Sequence, residues 1–255
     1  MFEEPAPGVA RLTISNPAKR GALDHPILDA FANDLPKLEA RCVIITGEGT
    51  TFSAGYDIAA LPAPALADEA ERLVAHPFGA ATEAIEAYPY PTIAALNGHT
   101  IGGGLELALA CDLRIAAGTI ALGMPPAKLG LVYSHTGIRK FIDTIGAPRT
   151  RELFLTARRI DARTAREWGL VNAIAEDGRL AEEVLEFASE IAANAPLSMA
   201  GNKRVIRAVL DAGTELDPET ERELLELRRA SFASDDFHEG VRAFTEKRQP
   251  RWRGV

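Results

Sequence analysis

One stretch carries most of the information on fold and chemistry: Asn97-Gly98-His99-Thr100-Ile101-Gly102-Gly103-Gly104-Leu105-Glu106. It follows the apolar run Thr92-Ile93-Ala94-Ala95-Leu96, which is typical of a strand buried on both faces. The apolar residues after it predict a short helix from Gly103 to Cys111. Because glycine has no Cβ, the three glycines bring bare backbone close to a ligand. The stretch therefore predicts a helix whose first N–H groups, which lack intrahelical partners, face a bound molecule.

A second small-residue segment, Phe52-Ser53-Ala54-Gly55-Tyr56-Asp57, has the same context. It follows the run Cys42-Val43-Ile44-Ile45-Thr46-Gly47, which predicts another buried strand. Two such loops can offer two N–H groups to one carbonyl oxygen as negative charge develops on it. The glycine spacing does not match a dinucleotide or P-loop motif. We therefore predict a shared oxyanion-binding site rather than a phosphate-binding loop.

Glu106 is predicted to lie about one turn into an otherwise apolar helix. A buried carboxylate is unfavourable unless it is hydrogen-bonded or functional. Burial also raises the carboxyl pKa toward the range that is useful for proton transfer. The alternative is that Glu106 faces solvent or pairs with Arg114, and the sequence favours the functional interpretation.

The composition excludes several classes of partner. The chain has 255 residues, of which 47% are apolar and 25% charged, and its formal net charge of −8 argues against nucleic-acid or acidic-membrane binding. Cys42 and Cys111 are predicted to be reduced core residues, and the scattered histidines give no metal-ligand spacing, so no metal is expected. No apolar run is long enough for a membrane span, and the N-terminus does not resemble a signal peptide. We expect a cytoplasmic protein.

The pattern along the chain predicts a β/α core over residues 1–195 and a helical region over 196–255. Strands are predicted at 8–15, 42–46, 92–96, 112–116, 119–122 and 169–174. Helices are predicted at 24–40, 66–88, 103–111, 134–158, 161–168, 178–194, 197–213 and 217–247.

Both loops, taken with several further segments, resemble the crotonase, or enoyl-CoA hydratase/isomerase, superfamily. The likeness runs nearly end to end, and the order and spacing of its motifs are specific although no single motif decides it. The further segments are Asn16-Pro17-Ala18-Lys19-Arg20-Gly21-Ala22-Leu23, Cys111-Asp112, Ala165-Arg166-Glu167-Trp168-Gly169-Leu170-Val171-Asn172 and Glu239-Gly240-Val241-Arg242-Ala243-Phe244.

The resemblance implies an α/β fold, a spiral of β-β-α units with a helical C-terminal trimerisation region, in a homotrimer or a hexamer of two trimers. It implies an acyl-CoA substrate, so that coenzyme A is part of the thioester and no cofactor is tightly bound. By position, the N–H groups of Ala54 and Gly103 would hold the thioester oxygen and stabilise an enolate. The residues expected to border coenzyme A are Lys19, Arg20, Ala22, Ala54, Gly55, Tyr56, Asp57 and Lys247.

The chain departs from the family's hydratases at the second of their two catalytic glutamates. Glu106 matches the first, but Pro126 occupies the place of the second. Hydration needs a base to orient water at Cβ and an acid to deliver a proton at Cα, and proline transfers no protons. Tyr133 lies in a segment that resembles the methylmalonyl-CoA decarboxylase-like members, which carry a histidine where this chain has Tyr56.

Three functions therefore stay open. The first is an acyl-CoA enzyme of the hydratase/isomerase type in which Glu106 handles the proton. The second is a malonyl- or methylmalonyl-CoA-type decarboxylase, in which Tyr133 positions the leaving carboxylate. The third is a non-catalytic acyl-CoA binding protein. Residues 60–80 are expected to wall the acyl pocket, His99 to be structural and His135 to lie on the surface.

Overall fold

The computed structural model describes residues 2–56, 77–129, 132–212, 217–220, 222–223, 226, 230, 234–236, 239, 243 and 246–255. Its strands are β1 (Phe2–Ala6), β2 (Val9–Ile14), β3 (Cys42–Gly47), β4 (Thr51–Ser53), β5 (Thr92–Leu96), β6 (His99–Ile101), β7 (Leu113–Ala117), β8 (Ala121–Gly123), β9 (Arg159–Asp161) and β10 (Ala173–Ala175). Its helices are α1 (His25–Asn33), α2 (Gly79–Ala87), α3 (Gly103–Ala110), α4 (Pro126–Leu129), α5 (His135–Thr156), α6 (Ala162–Glu167), α7 (Leu180–Ala192) and α8 (Pro196–Ala212).

From β3 to β8, consecutive strands alternate between two sheets. A larger sheet has the order β1-β2-β3-β5-β7-β10 and is parallel except for the pair β1–β2. A smaller sheet has the order β4-β6-β8-β9 and is parallel except for β8–β9. Thus β3, β5 and β7 join the larger sheet, and the strand after each joins the smaller one. Helix α3 follows the pair β5–β6, which gives the expected β-β-α unit.

Strand β3 is buried on both faces, as predicted. Val43 and Ile45 pack into one apolar core, whereas Cys42 and Ile44 pack into a second core that includes residues of α7. Since successive side chains of a strand point to opposite faces, both sets must be apolar, which explains the continuous apolar run. Cys42 and Cys111 are buried free thiols.

Several element bounds differ from the predicted ones. The helix predicted at 24–40 ends at Asn33 and gives way to a 3₁₀ turn at Leu35–Lys37, because Pro36 lacks an N–H group to continue it. Strands β1, β4, β6 and β9 were missed. The last three have three residues each, too few to show a period, and β1 contains two adjacent glutamates and a proline, which do not alternate with apolar residues. The strand predicted at 169–174 shortens to β10.

Some predictions fall wholly or partly outside the described residues. Asp57 lies outside them, as do most of the predicted pocket wall at 60–80 and the first part of the helix predicted at 66–88. Much of the helix predicted at 217–247 also lies outside the described residues. The domain division at residue 195 and the trimer or hexamer stay predictions. Among the helices that the structure describes, none is long and apolar enough to cross a membrane.

Candidate active site

The two glycine-containing loops meet where β4 and β6 end. These strands are parallel neighbours, so their carboxyl ends lie side by side. Gly55 has a φ of 94°, and a β-carbon built on it would lie 3.0 Å from the carbonyl oxygen of Ile101 and 3.2 Å from the nitrogen of Gly103. A residue with a side chain does not fit this position without separating the loops. The predicted convergence of the two segments is therefore present.

The structure corrects one member of the predicted pair of oxyanion donors. The N–H group of Ala54 donates to the carbonyl oxygen of Arg20 at 3.1 Å, so it is engaged inside the loop and is not the partner of Gly103. No residue that the structure describes accepts a hydrogen bond from the N–H group of Tyr56 or of Gly103. These two groups belong to the loops that touch, which makes them the better pair.

The first loop is anchored to the turn Lys19–Ala22. Besides the Ala54 bond, Leu23 N–H donates to the carbonyl oxygen of Gly55 at 2.7 Å. The Ser53 hydroxyl donates to the carbonyl oxygen of Gly21 at 2.7 Å and accepts from Gly55 N–H at 3.2 Å. These bonds hold the loop in position from behind.

The residues expected around coenzyme A are only partly brought together. Lys19 and Arg20 are exposed on the turn that anchors Ala54–Tyr56, and Ala22 is buried beneath it. Lys247 is exposed in the C-terminal segment, and no described contact joins it to this turn. The chain thus groups most of the set, and the role of Lys247, which the resemblance also allows on a neighbouring subunit, stays a prediction.

Glu106 is buried on α3, one turn after Gly103, with only 4% of its surface exposed. The Tyr133 hydroxyl donates to its Oε2 atom at 2.5 Å. The alternative pairing with Arg114 is wrong, because that guanidinium donates to the carbonyl oxygens of Leu170 and Cys111 instead. The only hydrogen bond described for the Glu106 carboxyl group is therefore one from a tyrosine.

Gly137 makes room for the Glu106–Tyr133 pair. A β-carbon built on it would lie 2.7 Å from Cε1 of Tyr133 and 2.9 Å from Oε1 of Glu106. It lies in the first turn of α5, where its N–H group donates to the side chain of the N-cap residue Ser134 at 3.1 Å. Sequence reasoning missed Gly137, although a glycine inside the first turn of a helix was the available signal.

Burial sets the electrostatics of this pair. It raises the pKa of Glu106, while the Tyr133 hydrogen bond and the charge of Lys140 lower that pKa and the charge of Glu86 raises it. Burial also raises the pKa of Tyr133 well above 10, and nearby Tyr56 and Glu106 add to this effect. Tyr133 therefore stays protonated at neutral pH and acts as a donor, whereas Glu106 can take up or release a proton.

The remaining candidates do not add a second proton-transfer group in the described part of the chain. Pro126 is the first residue of α4 and is buried. His135 is exposed at the start of α5, and His99 Nδ1 accepts from Ala121 N–H at 3.0 Å, which is a structural role. Within the described ranges, no group of three or more acidic, histidine or cysteine side chains is placed to hold a metal ion.

The family model for enoyl-CoA hydratase/isomerase matches residues 4–255. This chain belongs to the enoyl-CoA hydratase/isomerase family. The resemblance of both glycine-containing loops to this family, seen in the sequence, is thereby confirmed.

Relatives in this family cover nearly the whole chain. A carnitinyl-CoA dehydratase from Salmonella heidelberg is 35% identical, covering 96% of this chain and 95% of its own. A methylmalonyl-CoA decarboxylase from Escherichia coli is 33% identical over the same shares. The crystal structure of an enoyl-CoA hydratase from Bacillus anthracis superimposes with a TM-score of 0.88 at 31% identity, covering 100% of this chain and 99% of its own. The predicted crotonase-type fold is confirmed.

Proposed function

We propose that this family member is an acyl-CoA enzyme that forms and protonates the enolate of a coenzyme A thioester, with Glu106 as the proton-transfer group. One observation carries the proposal: a buried carboxyl group held by Tyr133 lies one helical turn from the contact between the two loops. A carboxyl group with a raised pKa suits proton transfer at the carbon next to a carbonyl. The third possibility, a non-catalytic binding protein, does not explain why a carboxyl group is buried at this place, since its burial is unfavourable.

The N–H groups of Tyr56 and Gly103 are the proposed donors to the thioester oxygen. Gly103 is the first residue of α3, so its N–H group has no partner within the helix and carries the partial positive charge of the helix start. As the enolate forms, negative charge moves onto the oxygen and strengthens both hydrogen bonds. The exposed turn with Lys19 and Arg20 is the proposed border of the coenzyme A site, because it is bonded to the same loop.

A single carboxyl group favours reactions that need proton transfer chiefly at Cα. Hydration by two carboxylates does not fit, since Pro126 replaces one of them. Tyr133 cannot take over as the base, because its raised pKa keeps it protonated near neutral pH. Moving a proton between carbons of the acyl group requires only that Glu106 remove it and return it. Isomerisation and α-proton exchange are therefore the reactions that the described residues support best.

Decarboxylation of a malonyl-type thioester is the second candidate, and the placement of Tyr133 favours it. Loss of CO₂ breaks the bond between Cα and the carboxylate and leaves its electron pair as the same enolate. No base is then needed, and the neutral Glu106 carboxyl group can supply the proton that Cα takes up. A neutral Glu106 can itself donate to the Tyr133 oxygen, which frees the Tyr133 hydroxyl to orient the carboxylate before it leaves.

Deuterium exchange tests the proposed enolate directly. Butyryl-CoA incubated with the protein in D₂O should exchange its Cα protons for deuterium, measured as a gain in mass. A panel of crotonyl-, 3-butenoyl-, malonyl- and methylmalonyl-CoA, with products identified by mass spectrometry, then separates isomerisation, hydration and loss of CO₂. Binding without exchange or product would leave only a binding protein, and a complete lack of binding refutes the proposal.

The Tyr133→Phe variant should shift the pH dependence of exchange. Glu106 must be ionised to take a proton, so the rate falls as pH drops below its pKa, which lies above the ordinary value of 4.5. Removing the Tyr133 hydrogen bond raises this pKa further, because that bond stabilises the carboxylate. We expect the acid limb of the kcat/KM profile to move to higher pH and the rate at neutral pH to fall about 10-fold.

A control variant, Tyr88→Phe, removes a hydroxyl that bonds the carbonyl oxygen of Ala40, away from Glu106. Its pH profile should match that of the wild type. A Tyr133→Phe profile that also matches the wild type would show that the Glu106–Tyr133 bond has no part in the reaction.

A further inference from the structure

The side chain of Tyr56 lies over the proposed oxyanion site. A β-carbon built on Gly103 would lie 3.0 Å from Cζ and 3.1 Å from Cε2 of Tyr56, so the hydroxyl end of the ring covers the α-carbon of Gly103. The ring also contacts Phe78 edge to face, with centroids 4.7 Å apart and planes at 74°. These two contacts fix where the hydroxyl group lies.

The Tyr56 hydroxyl is buried without a hydrogen-bond partner. Its oxygen is inaccessible to solvent, and none of the residues that the structure describes forms a hydrogen bond with it. Burial and the nearby charge of Glu106 raise the pKa of this hydroxyl, and the neighbouring Tyr133 hydroxyl offsets only part of that rise. The Tyr56 hydroxyl therefore stays protonated and is a donor near neutral pH. Buried polar groups in native proteins almost always have a partner, and the exceptions call for an explanation.

Its neighbours place this hydroxyl at the reacting end of the acyl group. Gly103 N–H is proposed to hold the oxygen on C1, and Glu106 is proposed to serve C2. A donor that lies above Gly103, one helical turn before Glu106, is suited to reach the next carbon, C3. An apolar C3 leaves the hydroxyl unpaired, whereas an oxygen atom on C3 accepts a hydrogen bond from it.

Building on the proposed function, we propose that Tyr56 is a specificity-determining residue whose hydroxyl donates a hydrogen bond to an oxygen atom on C3 of the acyl group. This oxygen belongs either to a carboxylate, as in a malonyl-type thioester, or to a keto or hydroxyl group. A site built to hydrogen-bond a substrate group discriminates against the analogue that lacks it, because its own polar group is then left buried and unpaired. The substrate class is thus a short acyl-CoA that is oxygenated at C3.

The test compares the wild type with Tyr56→Phe on two matched pairs of thioesters. Acetoacetyl-CoA carries a C3 keto oxygen that butyryl-CoA lacks, and isovaleryl-CoA replaces the two carboxylate oxygens of malonyl-CoA by methyl groups. Dissociation constants are measured by competition with a fluorescent coenzyme A thioester within seconds, before turnover. In Tyr56→Phe, we expect the preference for the oxygenated member of at least one pair to fall about 10-fold.

Each outcome has a defined meaning. A loss of preference confined to the malonyl pair identifies a carboxylate as the acceptor of the Tyr56 hydrogen bond. A loss confined to the acetoacetyl pair identifies a neutral oxygen as the acceptor. Equal weakening of all four thioesters shows that Tyr56 acts only through packing, and this overturns the inference, as does an unchanged preference. If the wild type binds none of the thioesters, the proposed function fails as well, whereas binding with an unchanged preference defeats the inference alone.

Folding is checked on the same variants. Tyr56→Phe keeps the ring and removes an unpaired hydroxyl, so its melting temperature should equal or exceed that of the wild type. Tyr88→Phe is the matched control, because the Tyr88 hydroxyl donates to the carbonyl oxygen of Ala40 at 2.6 Å. This control should melt at a lower temperature and keep the wild-type preference within both pairs.

Discussion

Replacing Glu106 by glutamine should lower the rate of α-proton exchange by about 10²- to 10⁴-fold, the usual contribution of a general acid–base group. Glutamine has the same shape and its amide oxygen still accepts from the Tyr133 hydroxyl, but it transfers no proton. The rate is measured as deuterium incorporation into butyryl-CoA. Release of CO₂ from malonyl-CoA should continue in Glu106→Gln, because decarboxylation needs no base at Cα.

Glu83→Gln is the matched control for this variant. Glu83 is exposed on α2 and should be replaceable without change in rate. Exchange at the wild-type rate in Glu106→Gln would remove this residue from the mechanism.

The same variant should also change how stability depends on pH. The folded pKa of Glu106 is raised by burial, so its contribution to stability is present below the unfolded pKa and is lost as pH rises through the folded pKa. Glutamine carries no charge at any pH. We therefore expect Glu106→Gln to melt at a higher temperature than the wild type at pH 8, with a smaller difference at pH 4.

Replacing Gly55 by alanine should lower kcat by about 10²- to 10³-fold, comparable to the loss of one oxyanion donor. The new methyl group would press on the carbonyl oxygen of Ile101 and the nitrogen of Gly103, and thereby separate the two N–H groups. The φ of 94° adds backbone strain of about 1–3 kcal/mol in the free energy of unfolding. Steady-state kinetics and denaturant unfolding measure the two effects.

The Gly178→Ala variant separates the effect of backbone strain from the effect of the new methyl group pressing on the second loop. Gly178 has a φ of 78°, and a β-carbon built there meets no atom within 4 Å. We expect it to lose stability to a similar degree as Gly55→Ala while keeping full activity. If both variants lose the same activity, general destabilisation rather than loop geometry explains the result.

The sequence predicted the parts of the fold that depend on local pattern. The long apolar runs of β3 and β5 predicted buried strands, because both faces of these strands pack against apolar cores. Strands β4, β6 and β9 have three residues each, and their pairing partners lie far along the chain. No local pattern encodes such pairing, so the smaller sheet was only partly predicted.

The candidate site shows the same limit at the level of single groups. Glu106 and Gly103 were predicted because a lone carboxylate and a glycine run stand out within an apolar helix. The choice between Ala54 and Tyr56 as a donor was not predictable, since it depends on the carbonyl oxygen of Arg20, which belongs to a distant turn. Resemblance implied Ala54, whereas the hydrogen-bond pattern favours Tyr56, which lies two residues further along the loop.

In the proposed site one residue, Tyr56, serves twice: its main-chain N–H group donates to the thioester oxygen, and its side chain selects the substrate. Its N–H group is positioned by the hydrogen bonds that the preceding residue, Gly55, makes with Ser53 and Leu23, and these bonds do not depend on the side chain at position 56. A substitution at this position can therefore change the choice of substrate without changing how the enolate is stabilised. Such an arrangement lets a lineage exchange tyrosine for histidine or another residue, and so adopt new thioesters, without rebuilding the machinery that stabilises their enolates.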